Sequence, residues 1–278
     1  MRRLRNLFAV KPLHPVDAEG RMALGDHFRE LRGRLMRSVA VIAVLFFVGI
    51  YFNEHILELI MGPYNRARAA LGADVLTEPV FKGVGGPFLA ILKMSAATAI
   101  IAGSPVWLYQ LWRYILPALH KHERKWSHVF IAVAGPLFMG GVALGYYILP
   151  KGLEVLIGFT FTDFKTLVEF DDYFSFLVKM LLVFGISLEI PLFAVLLNLM
   201  GILPGRVMAA YRPWIVVGTF VFAAIATPST DAITMTILAV PMLVLFLLAE
   251  VVMRLLDRAR GKKAAAVAIP DDQASPLP

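Results

Sequence analysis

Six long, nearly uncharged runs alternate with short charged segments along the chain, at about residues 35–52, 87–112, 127–149, 173–200, 213–226 and 232–253. A helix needs about 20 largely apolar residues to cross roughly 30 Å of hydrocarbon, so the pattern predicts an all-α polytopic membrane protein with six transmembrane helices. The first run is continuous with a charged collar. Leu24, Phe28, Leu31 and Leu35 recur at helical spacing and share one face, with Arg29, Arg32, Arg34 and Glu30 on the other. Lys93 interrupts the second run, Pro150 is read as the end of the third, and the fourth contains Lys179, Glu189 and Pro191.

The connections are of two kinds. Residues 53–86 form a long mixed loop with Pro63, Pro79 and Gly85-Gly86, in which residues 53–61 read as a short interfacial helix; 151–172 form a second long, acidic loop. The other loops are short and basic. With the N-terminus inside, the inner segments hold 20 Lys and Arg and the outer loops five, while Lys93 and Lys179 lie within spans. This bias predicts both termini in the cytoplasm. It does not fix the number of spans, since a re-entrant final hairpin keeps the same parity. The fifth and sixth helices are read as short. Residues 213–226 would make only about 21 Å of helix, and the turn Thr227-Pro228-Ser229-Thr230-Asp231 follows at once. Such a hairpin must thin the bilayer or be shielded by other helices.

Composition agrees. The 278 residues are 59% hydrophobic with mean hydropathy +0.72, too apolar for an ordinary soluble domain. Cysteine is absent, which excludes disulfides and thiolate chemistry. A net charge of +7 would suggest nucleic acid in a soluble chain; here its placement beside spans explains it, and no nucleic-acid partner is expected. Met1-Arg2-Arg3-Leu4-Arg5 reads as a basic cytoplasmic tail, because the apolar run after it, Leu7 to Val10, is too short for a signal peptide. No His-Glu-x-x-His, Gly-x-Ser-x-Gly or phosphate-binding Gly-rich loop occurs. His120 and His122 alternate, so a helix would point them apart. No catalytic constellation, metal site or cofactor is predicted.

The polar residues inside the runs are more informative, since a charge at bilayer depth costs at least ~2.5–3.5 kcal/mol on insertion scales and turns toward protein or water. Glu189, two residues before Pro191, reads as a docking point for a partner helix or a proton-relay group, against a bland role as a hydrogen bond between helices. Lys93 and Lys179 can snorkel to the headgroups. Asp231 can cap the last helix, and Glu250 can pair with Arg254 at i+4. Spacing alone favours local pairing for Glu30 with Arg34, and for Glu123 with Arg124 or Lys125. The alternative is that both carboxylates face one cytoplasmic patch and read two adjacent arginines from another chain as bidentate forks, which lysine cannot reproduce.

Several segments carry a family resemblance. His27-Phe28-Arg29-Glu30-Leu31-Arg32-Gly33-Arg34-Leu35 resembles the His-Leu-x-Glu-Leu-Arg-x-Arg-Leu start of the TatC family of twin-arginine translocase proteins. Pro105 to Leu119, with Glu123 after it, is similar to its Pro-x-x-x-Tyr-Gln-x-Trp-x-Phe-x-x-Pro-x-Leu…Glu segment. Phe184-Gly185-Ile186-Ser187-Leu188-Glu189-Ile190-Pro191 looks like its Phe-Gly-x-x-Phe-Glu-x-Pro span, and residues 227–231 and 238–242 look like its last hairpin. The match runs in order over about residues 23–253, dividing the chain into a tail (1–22), a six-helix domain (23–253) and a second cytoplasmic tail (254–278) expected to be disordered.

The resemblance implies a concave receptor in the bacterial inner membrane. It would bind twin-arginine signal peptides of folded cargo and organise the small single-span proteins TatA and TatB, in a hetero-oligomer holding several copies of this chain. Export would be driven by the proton-motive force, without nucleotide. Glu30, Arg32, Tyr114 and Glu123 match the signal-peptide surface. Glu189 matches the carboxylate that meets the partner helices, and Asp231 is assigned to the same contact. Tyr114, Leu144 and Leu188 depart from the usual Phe, and the family's Glu in the sixth helix falls at Leu247, with Glu250 one turn on. The competing classes are a proton-coupled solute transporter using Lys93, Lys179, Glu189 and Asp231, for which internal symmetry is missing, and an intramembrane hydrolase, which lacks a nucleophile–base pair.

Overall fold

The computed structural model describes residues 24–71, 77–115, 124–158, 166–227 and 232–267. Among these, nine helices and two short strands follow one another: α1 (Leu24–Tyr51), α2 (Asn53–Leu71), β1 (Thr77–Val80), α3 (Gly86–Ala102), α4 (Ser104–Ile115), α5 (Arg124–Gly158), β2 (Thr166–Glu169), α6 (Phe170–Leu199), α7 (Gly205–Ala210), α8 (Arg212–Ala226) and α9 (Ala232–Val267). Four helical segments are long and apolar enough to span a membrane: Phe28–Tyr51, Ala132–Gly158, Phe170–Leu199 and Ala232–Gly261. The α3–α4 pair passes the same test as a bent unit, and α8 is apolar but only 15 residues long. The chain is a multi-pass membrane protein.

The collar and first span form one helix, α1. Its apolar stripe faces outward: Phe28, Leu35 and Phe47 are exposed, whereas Glu30, Arg34 and Ser38 are buried against the bundle. This is the arrangement a lipid solvent selects, since polar groups then gain by facing protein. The core lies between α5 and α6, which cross at glycines. A Cβ on Gly141 would come within 2.5 Å of the Phe184 carbonyl oxygen, and one on Gly185 within 2.8 Å of the Phe138 ring. The small-residue spacing Gly141…Gly145 is therefore packing, as close helix approach in lipid requires.

Four expected boundaries are corrected. The second run is not one helix but α3 and α4, bent by 53°. Pro105 cannot donate a backbone hydrogen bond, and the Trp107 indole donates to the Ile100 carbonyl at 2.9 Å across the break. Pro150 does not end the third run. The helix continues to Gly158 because Leu149, Leu153 and Ile157, spaced by four, are all buried in the core. That burial outweighs the lost backbone bond. The interfacial helix reaches Leu71 rather than Met61 and contains Pro63. Pro63 leaves the Leu59 carbonyl without its helical donor, and the Tyr146 hydroxyl supplies one at 2.8 Å. The Tyr173 hydroxyl likewise donates to the Ile60 carbonyl. The last helix is not short. It runs 36 residues, through Met253 to Val267, so the boundary of the expected disordered tail falls inside a helix. The basic residues that end the apolar run are good helix formers, and Glu250–Arg254 and Asp257–Arg260 pair along it.

The long loops are tied together by a parallel ribbon, β1 on β2, with Thr77 opposite Thr166 and Val80 opposite Glu169. Ion pairs continue this seam, Lys82 to Glu169 at 3.4 Å and Lys93 to Asp171 at 2.9 Å.

Candidate functional site

One polar cluster lies where the N-terminal part of α1 meets α4. Glu30 and Arg34 stand one turn apart on the buried side of α1. The Arg34 guanidinium grips one oxygen of Glu30, through Nε at 2.9 Å and through a terminal nitrogen. Its other terminal nitrogen reaches the Gln110 side-chain oxygen of α4 at 3.5 Å, the long limit of a hydrogen bond. Ser38 donates to the Arg34 carbonyl at 3.2 Å. The local pairing expected from i+4 spacing is therefore present, but it is a buried pair rather than an exposed one. Arg32 is exposed on the outer side of the same helix, and Tyr114 is half-buried one turn beyond Gln110 on the same face of α4. Arg113 lies over the Tyr109 ring, 5.6 Å from its centroid. Glu123 and Asp231 lie outside the described residues.

The second site is inside the bundle. Glu189 on α6 is 8% exposed, and neither carboxylate oxygen has a hydrogen bond of normal geometry among the described residues. Trp112 of α4 is the polar neighbour, its ring 6.1 Å from that of Phe193. Two residues apart on one helix, Gln110 and Trp112 point about 200° apart. The short helix α4 thus carries one side chain to the Glu30–Arg34 pair and another to Glu189. Next to Pro191 a groove of about 270 Å³ opens between α5, α6 and α9, lined only by apolar residues, among them Val133, Leu192, Leu248 and Val252.

A third cluster holds the start of α8 to α9. Arg212 forks onto Glu250 with two bonds of 2.6 Å, and Arg254 reaches the same carboxylate at 2.8 Å. The i+4 pair was legible in the sequence; Arg212, 38 residues away, was not. Gln110 and Trp112 were visible only as members of a motif. Lys93 is bound to Asp171 at the surface, Lys179 is exposed and Glu189 is buried, so these three residues of the transporter reading are not brought together. No group of three or more candidate metal ligands occurs among the described residues.

The family model for the Sec-independent protein translocase protein (TatC) matches residues 26–241. The chain belongs to the TatC family. It is 37% identical to the Sec-independent protein translocase protein TatC of Frankia casuarinae, over 93% of this chain and 74% of that protein. It is 31% identical to TatC of Escherichia coli strain K12, over 83% and 88%. The fold agrees as well. The crystal structure of the twin-arginine translocase receptor TatC in DDM superposes with a TM-score of 0.64 at 31% identity, covering 82% of this chain and 99% of that one. The chain is a translocase component of this family, a family of protein translocase rather than catalytic function.

Proposed function

We propose that this chain is the cargo receptor of a twin-arginine translocase, and that it reads the paired arginines of a signal peptide at the end of the bundle formed by the start of α1 and the end of α4. The observation that carries the reading is the Glu30–Arg34 pair. It supports a carboxylate placed and oriented to hold a guanidinium, with Gln110 as an additional acceptor. A peptide arginine would take Arg34's place on Glu30, and Glu123, eight residues past the end of α4, would take the second. Tyr114 would line the same surface, and Arg32, on the outer side of α1, would border it. The chain alternation and the excess of Lys and Arg at this end support a cytoplasmic location, with six spans, both termini inside and α8 as a short fifth crossing in the bacterial inner membrane.

Glu189, together with Asp231, would meet polar groups of single-span partners, TatA and TatB, in an assembly holding several copies of this chain. A buried carboxylate without a good internal partner beside an apolar groove supports this, since a partner helix can supply both a hydrogen bond and apolar contact. Export would draw on the proton-motive force. The test is peptide binding. Glu30→Gln with Glu123→Gln lowers affinity for an Arg-Arg signal peptide by about tenfold or more, the scale of a lost charge-assisted hydrogen bond, with membrane assembly intact. Unchanged affinity would refute the paired-carboxylate reading.

A further inference from the structure

A basic cleft lies where α6, α7 and α9 meet. The corner is closed by Asp257, which accepts from the Asn198 amide at 2.9 Å and from the Gly205 N–H at 2.7 Å. Arg260 adds bonds to the Asn198 and Leu199 carbonyls at 2.8 and 3.1 Å. Both carboxylate oxygens of Asp257 are thereby engaged in the corner. Outside this corner a cleft of about 580 Å³ is lined by Pro204, Arg206, Ala209, Arg254, Asp257 and Arg258. Arg254 shares Glu250 with Arg212. Arg206 and Arg258 are exposed and have no acidic partner among the described residues. Around the cleft, five arginines (Arg206, Arg212, Arg254, Arg258 and Arg260) stand against two carboxylates, Glu250 and Asp257.

The surroundings place this charge at a membrane boundary. Arg254 is the first basic residue of α9, after 22 residues in which Glu250 is the one charged side chain, and Leu255 is exposed beside it. Tyr211 and Trp214, 58% and 69% exposed, mark the start of α8, and aromatic residues of this kind collect at headgroup level. We propose that the cleft binds the phosphate of an anionic phospholipid, with Arg206 and Arg258 as its direct ligands and Arg254 behind them. Guanidinium groups match phosphate oxygens as forks, and basic pockets between spans are the common site for acidic headgroups. A bound lipid fixes the α7–α9 corner at the membrane surface. The inference does not depend on how the signal peptide is read.

Native mass spectrometry of the purified full chain tests it, with phosphatidylglycerol or phosphatidylcholine added. The wild type retains phosphatidylglycerol in preference. Arg206→Gln with Arg258→Gln lowers its occupancy about tenfold, the scale of one or two charge-assisted bonds. Arg66→Gln with Arg68→Gln, the same loss of charge on α2, leaves it unchanged. Arg206→Lys with Arg258→Lys, which keeps the charge and removes the fork, falls between and guards against a folding defect in the Gln pair. Equal loss in the two Gln pairs would reduce the effect to general attraction and overturn the site. Displacement of the lipid from the wild type by millimolar inorganic phosphate would make it a free-anion pocket instead.

Discussion

Arg34 holds a carboxylate that the proposed function needs. Glu30 and Arg34 are both buried, and removing one member of such a pair leaves the other uncompensated. If a peptide arginine must replace Arg34, the pair is a built-in competitor that raises the affinity threshold for every cationic ligand by the same factor. Arg34→Gln is therefore expected to raise binding of both Arg-Arg and Lys-Lys peptides, by about tenfold for a charge-assisted bond of this class. A titration with fluorescent peptides reads this. A fall in affinity with the receptor folded would instead make Arg34 a support that holds Glu30 in position. Side-chain pairs at helical spacing were legible in the sequence, as Glu30–Arg34 and Glu250–Arg254 show. Arg212 on Glu250 was not, because pairing across 38 residues depends on how α8 returns against α9.

At the scale of elements, close helix crossing dominates. The atom added by Gly141→Leu meets backbone, the Phe184 carbonyl oxygen at 2.5 Å, which no change of rotamer relieves. Overpacking typically costs about 1–3 kcal/mol, and the detergent-solubilised protein is expected to melt several degrees lower. Gly140→Leu, one residue away, adds an atom with nothing within 4 Å and should melt like the wild type. Equal melting of the two variants would mean that α5 and α6 separate freely at Gly141. Helix existence was readable from the apolar runs, and so were the ends at Tyr51, Leu199 and Ala226, but the ends near the other prolines and after Met253 were not. Pro150 and Pro63 sit inside helices because buried apolar side chains and tyrosine hydroxyls offset what proline removes. Pro105, next to Gly103 and Ser104, lies at a real break. The difference lies in tertiary contacts, which the local pattern does not contain. The β1–β2 ribbon was missed for the same reason, since its two four-residue strands lie in separate loops.

At the scale of the whole molecule, the lipid solvent inverts the usual reading of an amphipathic helix. Phe28 and Leu35 face outward while Glu30 and Arg34 face the bundle, so periodicity located the apolar face and the surrounding medium decided its direction; Arg32, expected beside Glu30 and Arg34, is instead exposed on the outer side. The absence of cysteine makes topology directly measurable by single-cysteine labelling with a membrane-impermeant maleimide. Cysteines at Arg32 and Arg258 are expected to react only from the cytoplasmic side, and one at Lys82 only from the outside. Labelling of positions 32 and 258 from opposite sides would break the assignment of both termini to the cytoplasm. The central claim, that this chain reads arginine pairs, is tested most directly by photo-crosslinking from a probe placed beside Glu123 to a cargo signal peptide bearing either Arg-Arg or Lys-Lys. Crosslinks to the Arg-Arg peptide that vanish with Lys-Lys are the predicted result. Equal crosslinking of both peptides, or of neither by a receptor shown to be folded in the membrane, would contradict it.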